Sequence, residues 1–329
     1  MKLLRAVLGV AACALLLAGT AQAQNKIVIK LGWATSDAPT DTFAIGARLF
    51  KAALEEEAKG QFDVQLYPNR QIGDEKQLVE GLRLGTVDAA IVTNPVYAQF
   101  EPSFLLNDLP FLYPTEERAF KILDGDIGKQ LAAKIEKKGI VMLAYMSGGY
   151  RQMLNNKKPV STPEDVKGVK YRTMQNPVAI EMYTALGGSP TPLAWSETLT
   201  ALQQGAVDGM DLGAPLIESL KVYEAVKYLS LTNHSFSACN LAMSKRLFDK
   251  LSPAQRTAVR NAAAKAAVEQ RKQALELDDK AVAALRAKGM VVNKVADIAP
   301  FRARVMPVYD KFRADIGSEL LDATLAQVK

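Results

Sequence analysis

The sequence predicts an α/β fold built on doubly wound sheets. Short apolar strands alternate with amphipathic helices along most of the 329 residues, and this alternation implies parallel pairing of the strands. In addition, residues 82–89 and 202–209 keep Leu, Gly, Val and Asp at matching positions. Each copy combines a helix end, a capping glycine and the start of a strand. The repeat indicates two lobes of similar architecture with a cleft between them; a common turn used twice is the alternative.

The elements of the first half follow from periodicity and from capping residues. Alternating or continuous apolar residues predict strands over 26–33, 62–67, 87–92 and 139–145. Amphipathic periodicity predicts two helices, one over 42–59 that ends at Gly60 and one over 75–84 that ends at Gly85.

In the second half, residues 161–168 carry the signals of a helix start, with cap residues, a proline and two acids. A strand over 169–174 follows and leads into a polar loop, a helix over 178–186 and a further helix after residue 189. Arg172 therefore lies near the carboxyl end of a sheet strand. Open α/β sheets bind their ligands at that edge.

A helical pattern without a breaker extends from Pro253 to Lys288. It is much longer than an average helix of about 12 residues. Its alanines, interspersed with Lys and Glu, lack the sustained heptads that a coiled coil needs. We therefore expect one helix that lies across both lobes.

The amino terminus predicts an export signal that is cleaved after Ala23. Two cations precede the apolar run 6–18, and residues 21–23 form an A-x-A cleavage site. An N-terminal anchor helix is the alternative. Cleavage would remove two of the cations that contribute to the formal net charge of +6. It would also leave Cys239 as the single cysteine, which excludes a disulfide framework.

Composition and motifs narrow the function. Apolar residues make up 49% and charged residues 23%, which argues against disordered and multispanning chains. With His234 as the single histidine, a His/Cys zinc site is excluded, while an all-oxygen site for a hard cation stays open. His234 fits a structural role better than that of a base. No nucleophile elbow, zinc-protease, dinucleotide or phosphate-loop motif occurs, and the cations form no basic stripe for nucleic acid. We therefore predict no catalytic residue, cofactor, metal site or nucleic-acid partner.

Several short motifs occur in a fixed order along the mature chain. They are K-L-G-W at 30–33, L-Y-P at 66–68 with Q-I-G-D at 71–74, L-P-F-L at 109–112, G-Y-R-Q at 149–152, K-G-V-K-Y-R at 167–172, S-P-T-P-L-A-W-S-E at 189–197 and A-V-D-G at 206–209. The ordered set resembles the substrate-binding subunits of tripartite ATP-independent periplasmic (TRAP) transporters, in the family of dicarboxylate-binding proteins. This resemblance implies a type II periplasmic binding protein-like fold, with two doubly wound lobes joined by hinge strands and a long bridging helix. It also implies closure around one small organic acid and no enzymatic activity.

The resemblance also implies an organisation and a location. Residues 1–23 form the signal peptide, residues 24–148 plus 238–277 form lobe I, and residues 149–237 plus 278–329 form lobe II. The loaded protein, a monomer in the periplasm of a Gram-negative bacterium, would deliver its ligand to the integral membrane subunits of a TRAP transporter. A secreted enzyme acting on a small carboxylic acid, and a ligand sensor for a membrane receptor, are the alternatives.

The site residues come from matches to the family motifs. Arg172 matches the arginine that pairs with the substrate carboxylate, a role suited to the rigid fork of a guanidinium. Arg151 matches a second arginine on the ligand side, with a structural ion pair as the alternative. Gln175 occupies the position of an amide near the ligand, and Trp195 that of an aromatic residue lining the cleft. Further positions from which relatives contact substrate are those of Trp33, Glu75, Thr93 and Asn94. For the two tryptophans, a position in the hydrophobic core is the alternative.

Residues 208–213, Asp-Gly-Met-Asp-Leu-Gly, depart from the family pattern. Many relatives have Asp-Gly-Gln-Glu-Asn-Pro there, and the asparagine helps to bind the ligand. Leu212 lacks that hydrogen-bonding group, which argues against a C4-dicarboxylate or sialic acid as the ligand. Asp211 could instead accept a hydrogen bond from a ligand hydroxyl or amine.

Overall fold

The computed structural model describes residues 26–328. Its strands are β1 (Ile27–Gly32), β2 (Phe62–Tyr67), β3 (Ala89–Thr93), β4 (Ile140–Asn155), β5 (Lys170–Thr173), β6 (Ser189–Pro192), β7 (Gly209–Gly213), β8 (Tyr228–Ser244) and β9 (Val291–Lys294). The α-helices are α1 (Thr42–Glu57), α2 (Glu75–Leu84), α3 (Asn94–Tyr97), α4 (Glu116–Leu123), α5 (Asp126–Glu136), α6 (Pro177–Ala185), α7 (Trp195–Gln203), α8 (Ala214–Ser219), α9 (Lys245–Phe248), α10 (Pro253–Ala287), α11 (Ala299–Ile316) and α12 (Ser318–Val328). Short 3₁₀ segments cover Pro102–Asp108, Pro163–Val166 and Val222–Glu224.

The strands of residues 26–328 form one mixed sheet in the order β2-β1-β3-β8-β4-β7-β5-β6, with β9 paired to β8. Pairing is parallel within each half, between β1 and its neighbours β2 and β3, and between β5 and its neighbours β6 and β7. The two long strands β4 and β8 instead run antiparallel to each other and to β7 and β3. The expected parallel pairing is therefore confirmed in each half, whereas the strands that connect the halves are antiparallel.

Helices cover both faces of the sheet. Alternate residues of β8 belong to different hydrophobic clusters, with Ala238 and Ala242 in one and Cys239 and Leu241 in the other. Because successive side chains of a strand point to opposite faces, the two clusters are the cores on the two sides of one sheet. This arrangement confirms the predicted α/β architecture and places Cys239 in a core.

The central strands continue well beyond the predicted element at 139–145. The pairing of β4 with β8 shifts register between Ser147 and Tyr150 and again between Arg151 and Met153. At the irregularity between Ser147 and Tyr150, a Cβ on Gly148 would lie 2.9 Å from the carbonyl oxygen of Ser237. Glycine is therefore needed for the close approach of the two strands. The glycines and polar residues of this segment have the composition of a loop, which is why the sequence did not reveal the full length of the strand.

The long helix α10 connects the two halves, as predicted. It packs against α1 in the first half, α8 in the second half and β4 between them. Gln270, fully buried near its middle, donates from Nε2 to the carbonyl oxygens of Thr42 at 3.1 Å and Ser147 at 2.7 Å. Its Oε1 accepts from the backbone N–H of Ser147 at 2.9 Å. One amide side chain thus fixes the helix to α1 and to the irregular part of β4.

The repeated motif performs the same task in both halves. The glycine of each copy is left-handed, with φ of +77° and +70°. The Asp88 carboxylate accepts from the backbone N–H of Lys30 at 2.9 Å, and Asp208 accepts from that of Lys170 at 2.9 Å. Each aspartate therefore ties the end of its motif to the neighbouring parallel strand. The two halves share this device, as the repeat predicts.

Two local expectations differ from the structure. Residues 163–166 form only a 3₁₀ turn, and residues 189–192, expected to lead into a helix, form the strand β6. β6 lies at the edge of the sheet, where prolines are tolerated because the missing N–H faces away from the ladder.

The predicted export signal, residues 1–23, lies outside the described residues. Among the helices of residues 26–328, none is both long enough and apolar enough to cross a membrane. The helix α12, which falls in the predicted range of lobe II, packs against α4 and α5 in the predicted range of lobe I. Arg118 donates from Nη1 to the carbonyl oxygen of Gln327 at 3.0 Å in this contact. The ranges of the two lobes stay a prediction.

Candidate functional site

A cavity of about 240 Å³ lies at the carboxyl ends of parallel strands from both halves. Its walls come from the start of α2, from α3 after β3, from the loop after β5 and from the start of α7 after β6. A smaller cavity of about 30 Å³ shares Glu75, Arg172, Met174 and Trp195 with it. A third, also of about 30 Å³, shares Arg151 and Met174 with the second. We refer to these three connected spaces as the cleft.

The cleft is closed in this structure, because side chains of the two halves meet across it. Hydrogen bonds cross between the halves from Gln99 Nε2 to the carbonyl oxygen of Gln175 at 3.2 Å and from the backbone N–H of Ser196 to Asp74 Oδ2 at 3.2 Å. Asn176 Nδ2 donates across the cleft to Asp108 Oδ2 at 2.7 Å and to the carbonyl oxygen of Pro95 at 3.4 Å. Asp108 also accepts from Asn94 Nδ2 at 2.9 Å, and burial raises the pKa of its carboxyl to about 7. No local pattern in the sequence indicates this contact between distant segments.

Arg172 lies on β5 with 3% of its surface exposed. Its Nε and Nη2 donate to the carbonyl oxygen of Leu193 at 3.1 and 2.7 Å, and its guanidinium carbon lies 6.0 Å from the ring centre of Trp195. Burial and the charge of Arg151 lower the pKa of Arg172 to about 10. Within residues 26–328 no carboxylate forms an ion pair with it. Arg172 therefore presents a buried positive charge to the cleft without a counterion from the described chain.

Arg151, on β4, is instead neutralised by Asp211 on β7. Its Nε donates to Oδ2 of Asp211 at 2.6 Å, and its Nη2 donates to Oδ1 at 3.0 Å and to the backbone carbonyl at 2.7 Å. Burial by itself would raise the pKa of the Asp211 carboxyl, but the charge of Arg151 and a hydrogen bond to His234 lower it well below the usual range. Arg151 lines the two smaller cavities and has the ion pair that was its alternative assignment.

His234 completes this network. It is fully buried, with Nε2 at 3.1 Å from Oδ2 of Asp211 and Nδ1 at 2.7 Å from Oγ1 of Thr232. Both ring nitrogens thus have partners, which agrees with the structural role expected for this histidine. Because Arg151 and His234 occupy the oxygens of Asp211, the role of Asp211 as an acceptor for ligand stays a prediction.

Glu75 is the buried carboxylate that lines the same spaces as Arg172. Its Oε1 accepts from the backbone N–H of Thr93 and its Oε2 from the hydroxyl of Thr93, both at 2.9 Å. Burial raises the pKa of Glu75. Thr93 lines the second of the three cavities, but Glu75 accepts both of the hydrogen bonds that Thr93 can donate. The contribution of Thr93 to the cleft is therefore to position this carboxylate.

Trp195 and Gln175 both line the larger cavity, as expected for residues near a ligand. Trp195 is the first residue of α7, and Glu75 is the first residue of α2. The two helices lead into the two copies of the repeated motif, so Trp195 and Glu75 occupy matching positions in the two halves. One half thus provides an aromatic wall and the other a carboxylate.

Two predicted site residues lie outside the cleft. Trp33 is fully buried in a hydrophobic core, and its Nε1 donates to the carbonyl oxygen of Ser36 at 2.9 Å. Asn94 uses its amide to support the 3₁₀ segment, donating to the carbonyl oxygen of Phe104 at 2.8 Å and accepting from Asn107 at 3.0 Å. Neither lines any of the three cavities. Because both residues follow a strand, the sequence predicted that they lie near the carboxyl edge of the sheet. It did not predict the direction in which their side chains point.

Other residues of the cleft were missed from the sequence. Asp74, Gln99, Met174 and Ser196 line the larger cavity. Of these, Asp74 had a local signal, because it caps α2 immediately before Glu75. Across residues 26–328, no group of three or more His, Cys, Asp or Glu side chains is arranged to hold a metal ion.

Comparison with known proteins agrees with this geometry. A family model described as bacterial extracellular solute-binding protein, family 7, matches residues 33–315. A solute-binding protein of Verminephrobacter eiseniae is 38% identical over 303 residues, covering 92% of this chain and 89% of the relative. The 2,3-diketo-L-gulonate-binding periplasmic protein YiaO of Escherichia coli is 34% identical over 298 residues, 90% of each chain.

Among solved structures, a TRAP periplasmic solute binding protein from Polaromonas sp. JS666, bound to D-erythronate, is 36% identical. The alignment has a TM-score of 0.88 and covers 92% of this chain and 99% of that one. Sequence and fold thus agree over nearly the whole length of either protein. The chain belongs to the bacterial extracellular solute-binding proteins of family 7.

Proposed function

We propose that this protein captures a small organic acid in its cleft and delivers it to the integral membrane subunits of a TRAP transporter. The observation that carries the proposal is the buried guanidinium of Arg172, which has no ion pair with the described residues. A buried charge is costly unless an opposite charge and hydrogen bonds compensate it. A ligand carboxylate would supply both, since a guanidinium can donate two parallel hydrogen bonds to its oxygens.

The charges of the cleft favour a ligand with one carboxylate. Arg151 is already neutralised by Asp211, so Arg172 is the buried cation available to an anion. Lys76 also lines the larger cavity, but its side chain is exposed. Glu75 lines the same cavity and would repel a second carboxylate. Its oxygens, each held by Thr93, keep lone pairs that can accept hydrogen bonds from ligand hydroxyls. The proposed ligand is therefore a hydroxylated monocarboxylate, a description that also fits the D-erythronate bound to the relative from Polaromonas.

Ligand capture is proposed to occur by closure of two lobes, 24–148 plus 238–277 and 149–237 plus 278–329. The irregular pairing of β4 and β8 provides a place for the lobes to rotate, and the hydrogen bonds across the cleft stabilise the closed form. A ligand that contacts both lobes shifts the equilibrium toward that form. Membrane subunits that recognise the closed form would then receive only loaded protein.

The remaining parts of the proposal concern the setting. Residues 1–23 would direct export to the periplasm of a Gram-negative bacterium and be removed there, and the protein would act as a monomer without enzymatic activity. A secreted enzyme that acts on a small carboxylic acid and a sensor for a membrane receptor are the alternatives. The family supports binding for transport.

The proposal is tested with the mature chain, freed of bound ligand by unfolding and refolding. Calorimetry should show one site for D-erythronate and none for erythritol, which lacks the carboxylate. The recovered ligand should be chemically unchanged, and vesicles holding the membrane subunits should accumulate it only when the protein is present. Turnover of the ligand would identify an enzyme instead. Binding without accumulation would favour the sensor.

A further inference from the structure

A second cavity, of about 270 Å³, shares no lining residue with the cleft. It is formed by the segment before α4, by the central strands and by the segment between β9 and α11. Its volume is close to that of the larger cavity of the cleft. We call it the rear cavity and define it by its six principal residues: Phe111, Tyr150, Asn233, Lys294, Ile298 and Arg302.

The rear cavity is positively charged. Lys294 and Arg302 line it, and none of the described residues that line it is acidic. Within residues 26–328 neither cation forms an ion pair. Asp297, the acid nearest to both in sequence, accepts from the backbone N–H of Ala299 at 2.9 Å. The absence of a counterion distinguishes these two cations from their neighbours.

Other cations of the same region do have partners. On α11, Arg304 pairs with Glu164 and Lys311 pairs with Glu181, while Arg313 lies 2.7 Å from Asp322. The surface around α11 thus neutralises its cations except where they face the rear cavity. Uncompensated positive charge in a concave site raises the local concentration of anions.

Apart from Thr232 and Asn233, the rest of the lining is aromatic and aliphatic. Phe111, Tyr150 and Ile298 line one part of it, and Tyr113 is a further ring of the same surface. Tyr150 is held in place because its hydroxyl donates to the carbonyl oxygen of Tyr113 at 2.9 Å. Pockets for small molecules are typically apolar, with a few polar groups that fix the orientation of the ligand. The rear cavity has this composition.

Backbone geometry shapes the floor of the rear cavity. Phe111 and Asn233 both have left-handed backbones, with φ of +56° and +47°. The backbone N–H of Phe111 donates to the carbonyl oxygen of His234 at 2.8 Å, and that of Asn233 donates to Oε1 of Gln152 at 3.0 Å. Asn233 also accepts from Gln152 through Oδ1 at 2.5 Å, which leaves its Nδ2 available to a ligand. The floor therefore offers a preformed polar donor beside the aromatic wall.

We propose that the rear cavity is a second binding site, for a small aromatic carboxylate. The carboxylate lies between Lys294 and Arg302, and the ring packs against Phe111, Tyr150 and Ile298. A cationic ligand is disfavoured because the lining has no acid. The site is separate from the cleft, so it does not depend on the function proposed for Arg172.

Benzoate is the probe, with benzylamine as the matched ligand of opposite charge. An Arg172→Gln variant removes the carboxylate site of the cleft, and nuclear magnetic resonance follows the titration. We expect saturable binding of one benzoate and no saturable binding of benzylamine. Changing both Lys294 and Arg302 to Gln should weaken benzoate binding at least about tenfold. The control variant, Lys311→Gln with Arg313→Gln, removes two positive charges from α11 outside the rear cavity. It should leave benzoate binding unchanged.

Failure to saturate with benzoate in the Arg172→Gln protein would overturn the proposal. Equal weakening in the two double variants would also overturn it, because the effect would then be general electrostatic attraction. Replacing both cations by Glu should abolish benzoate binding, and retained binding would contradict the assignment. Lys294 and Arg302 are exposed, so circular dichroism should show an unchanged fold in each variant.

Discussion

Arg151 and Asp211 form a buried ion pair with two side-chain hydrogen bonds, Nε to Oδ2 at 2.6 Å and Nη2 to Oδ1 at 3.0 Å. The pair joins the long strand β4 to β7 directly beside the cleft. Its consequence for function is electrostatic. Of the two arginines in the cleft, Arg151 is neutralised by the protein, whereas Arg172 has no counterion among residues 26–328.

Replacing Asp211 by Asn should destabilise the protein by about 3–5 kcal/mol, because it leaves Arg151 buried without its counterion. The free energy of unfolding in urea measures the loss. The lowered pKa of Asp211 means that its contribution is present above the pKa of the unfolded carboxyl, 3.8, and is lost as the pH falls below that value. The difference between wild type and Asp211→Asn should therefore shrink in acid. Asp249→Asn, at an exposed ion pair, is the control and should cost no more than about 1 kcal/mol.

Arg172→Gln should lower the affinity for a carboxylate ligand by about 2–5 kcal/mol, since a buried charged hydrogen-bonding partner is lost. That corresponds to roughly a 30-fold to several-thousand-fold rise in Kd. The ligand-free variant should be at least as stable as wild type, because the change removes an uncompensated buried charge. Calorimetry and thermal unfolding measure the two effects. Unchanged affinity would reject Arg172 as the carboxylate-binding residue.

Glu75→Gln should reduce discrimination between hydroxylated monocarboxylates and dicarboxylates. The neutral amide accepts a weaker hydrogen bond from a ligand hydroxyl than a carboxylate does. It also no longer repels a second carboxylate on the ligand. We expect the ratio of affinities for D-erythronate and succinate to fall at least about tenfold. Competition calorimetry on one protein preparation gives this ratio directly. Glu80→Gln, on the same helix and outside the cleft, should leave the ratio as it is in wild type.

Asp108 should make the closed form sensitive to pH. Burial raises its pKa from 3.8 to about 7, so the folded protein favours the protonated carboxyl. The contribution of Asp108 to the free energy of unfolding is therefore complete below its unfolded pKa of 3.8. It is lost as the pH rises to the folded pKa of about 7. The free energy of unfolding of wild type, relative to Asp108→Asn, should fall between about pH 4 and pH 7 with a slope of at most about 1.4 kcal/mol per unit, and should level off above pH 7. A constant difference over this range would mean that Asp108 does not titrate there.

Local signals in the sequence predicted much of the fold. Gly85 ends α2 in the left-handed conformation, and Ser252 caps α10 through its hydroxyl, as expected from residues that satisfy the free groups of a helix end. The position of Arg172 at the edge of a parallel sheet also followed from the order of strands and helices. These features depend on neighbours a few residues away, so the sequence expresses them directly.

Residues that act through distant partners were not predictable in this way. Trp33 and Asn94 follow strands, as residues near a ligand often do. The side chain of Trp33 nevertheless packs into a hydrophobic core, and the amide of Asn94 hydrogen-bonds to a 3₁₀ segment. The contact between Asp108 and Asn176 joins segments that are far apart in sequence. No periodicity or cap reports such a contact.

The sequence by itself determined the α/β class, the repeated motif, the long helix and the position of Arg172 near the carboxyl end of a strand, because short-range periodicity and capping encode them. Tertiary structure alone decided which charges cancel. Arg151 and Arg172 are both arginines near the carboxyl edge of one sheet. Only the pairing of β4 with β7 brings Asp211 to the first, whereas the second has no counterion among residues 26–328. The electrostatics of a buried site depend on distances of a few ångströms between strands, and long-range strand pairing sets those distances.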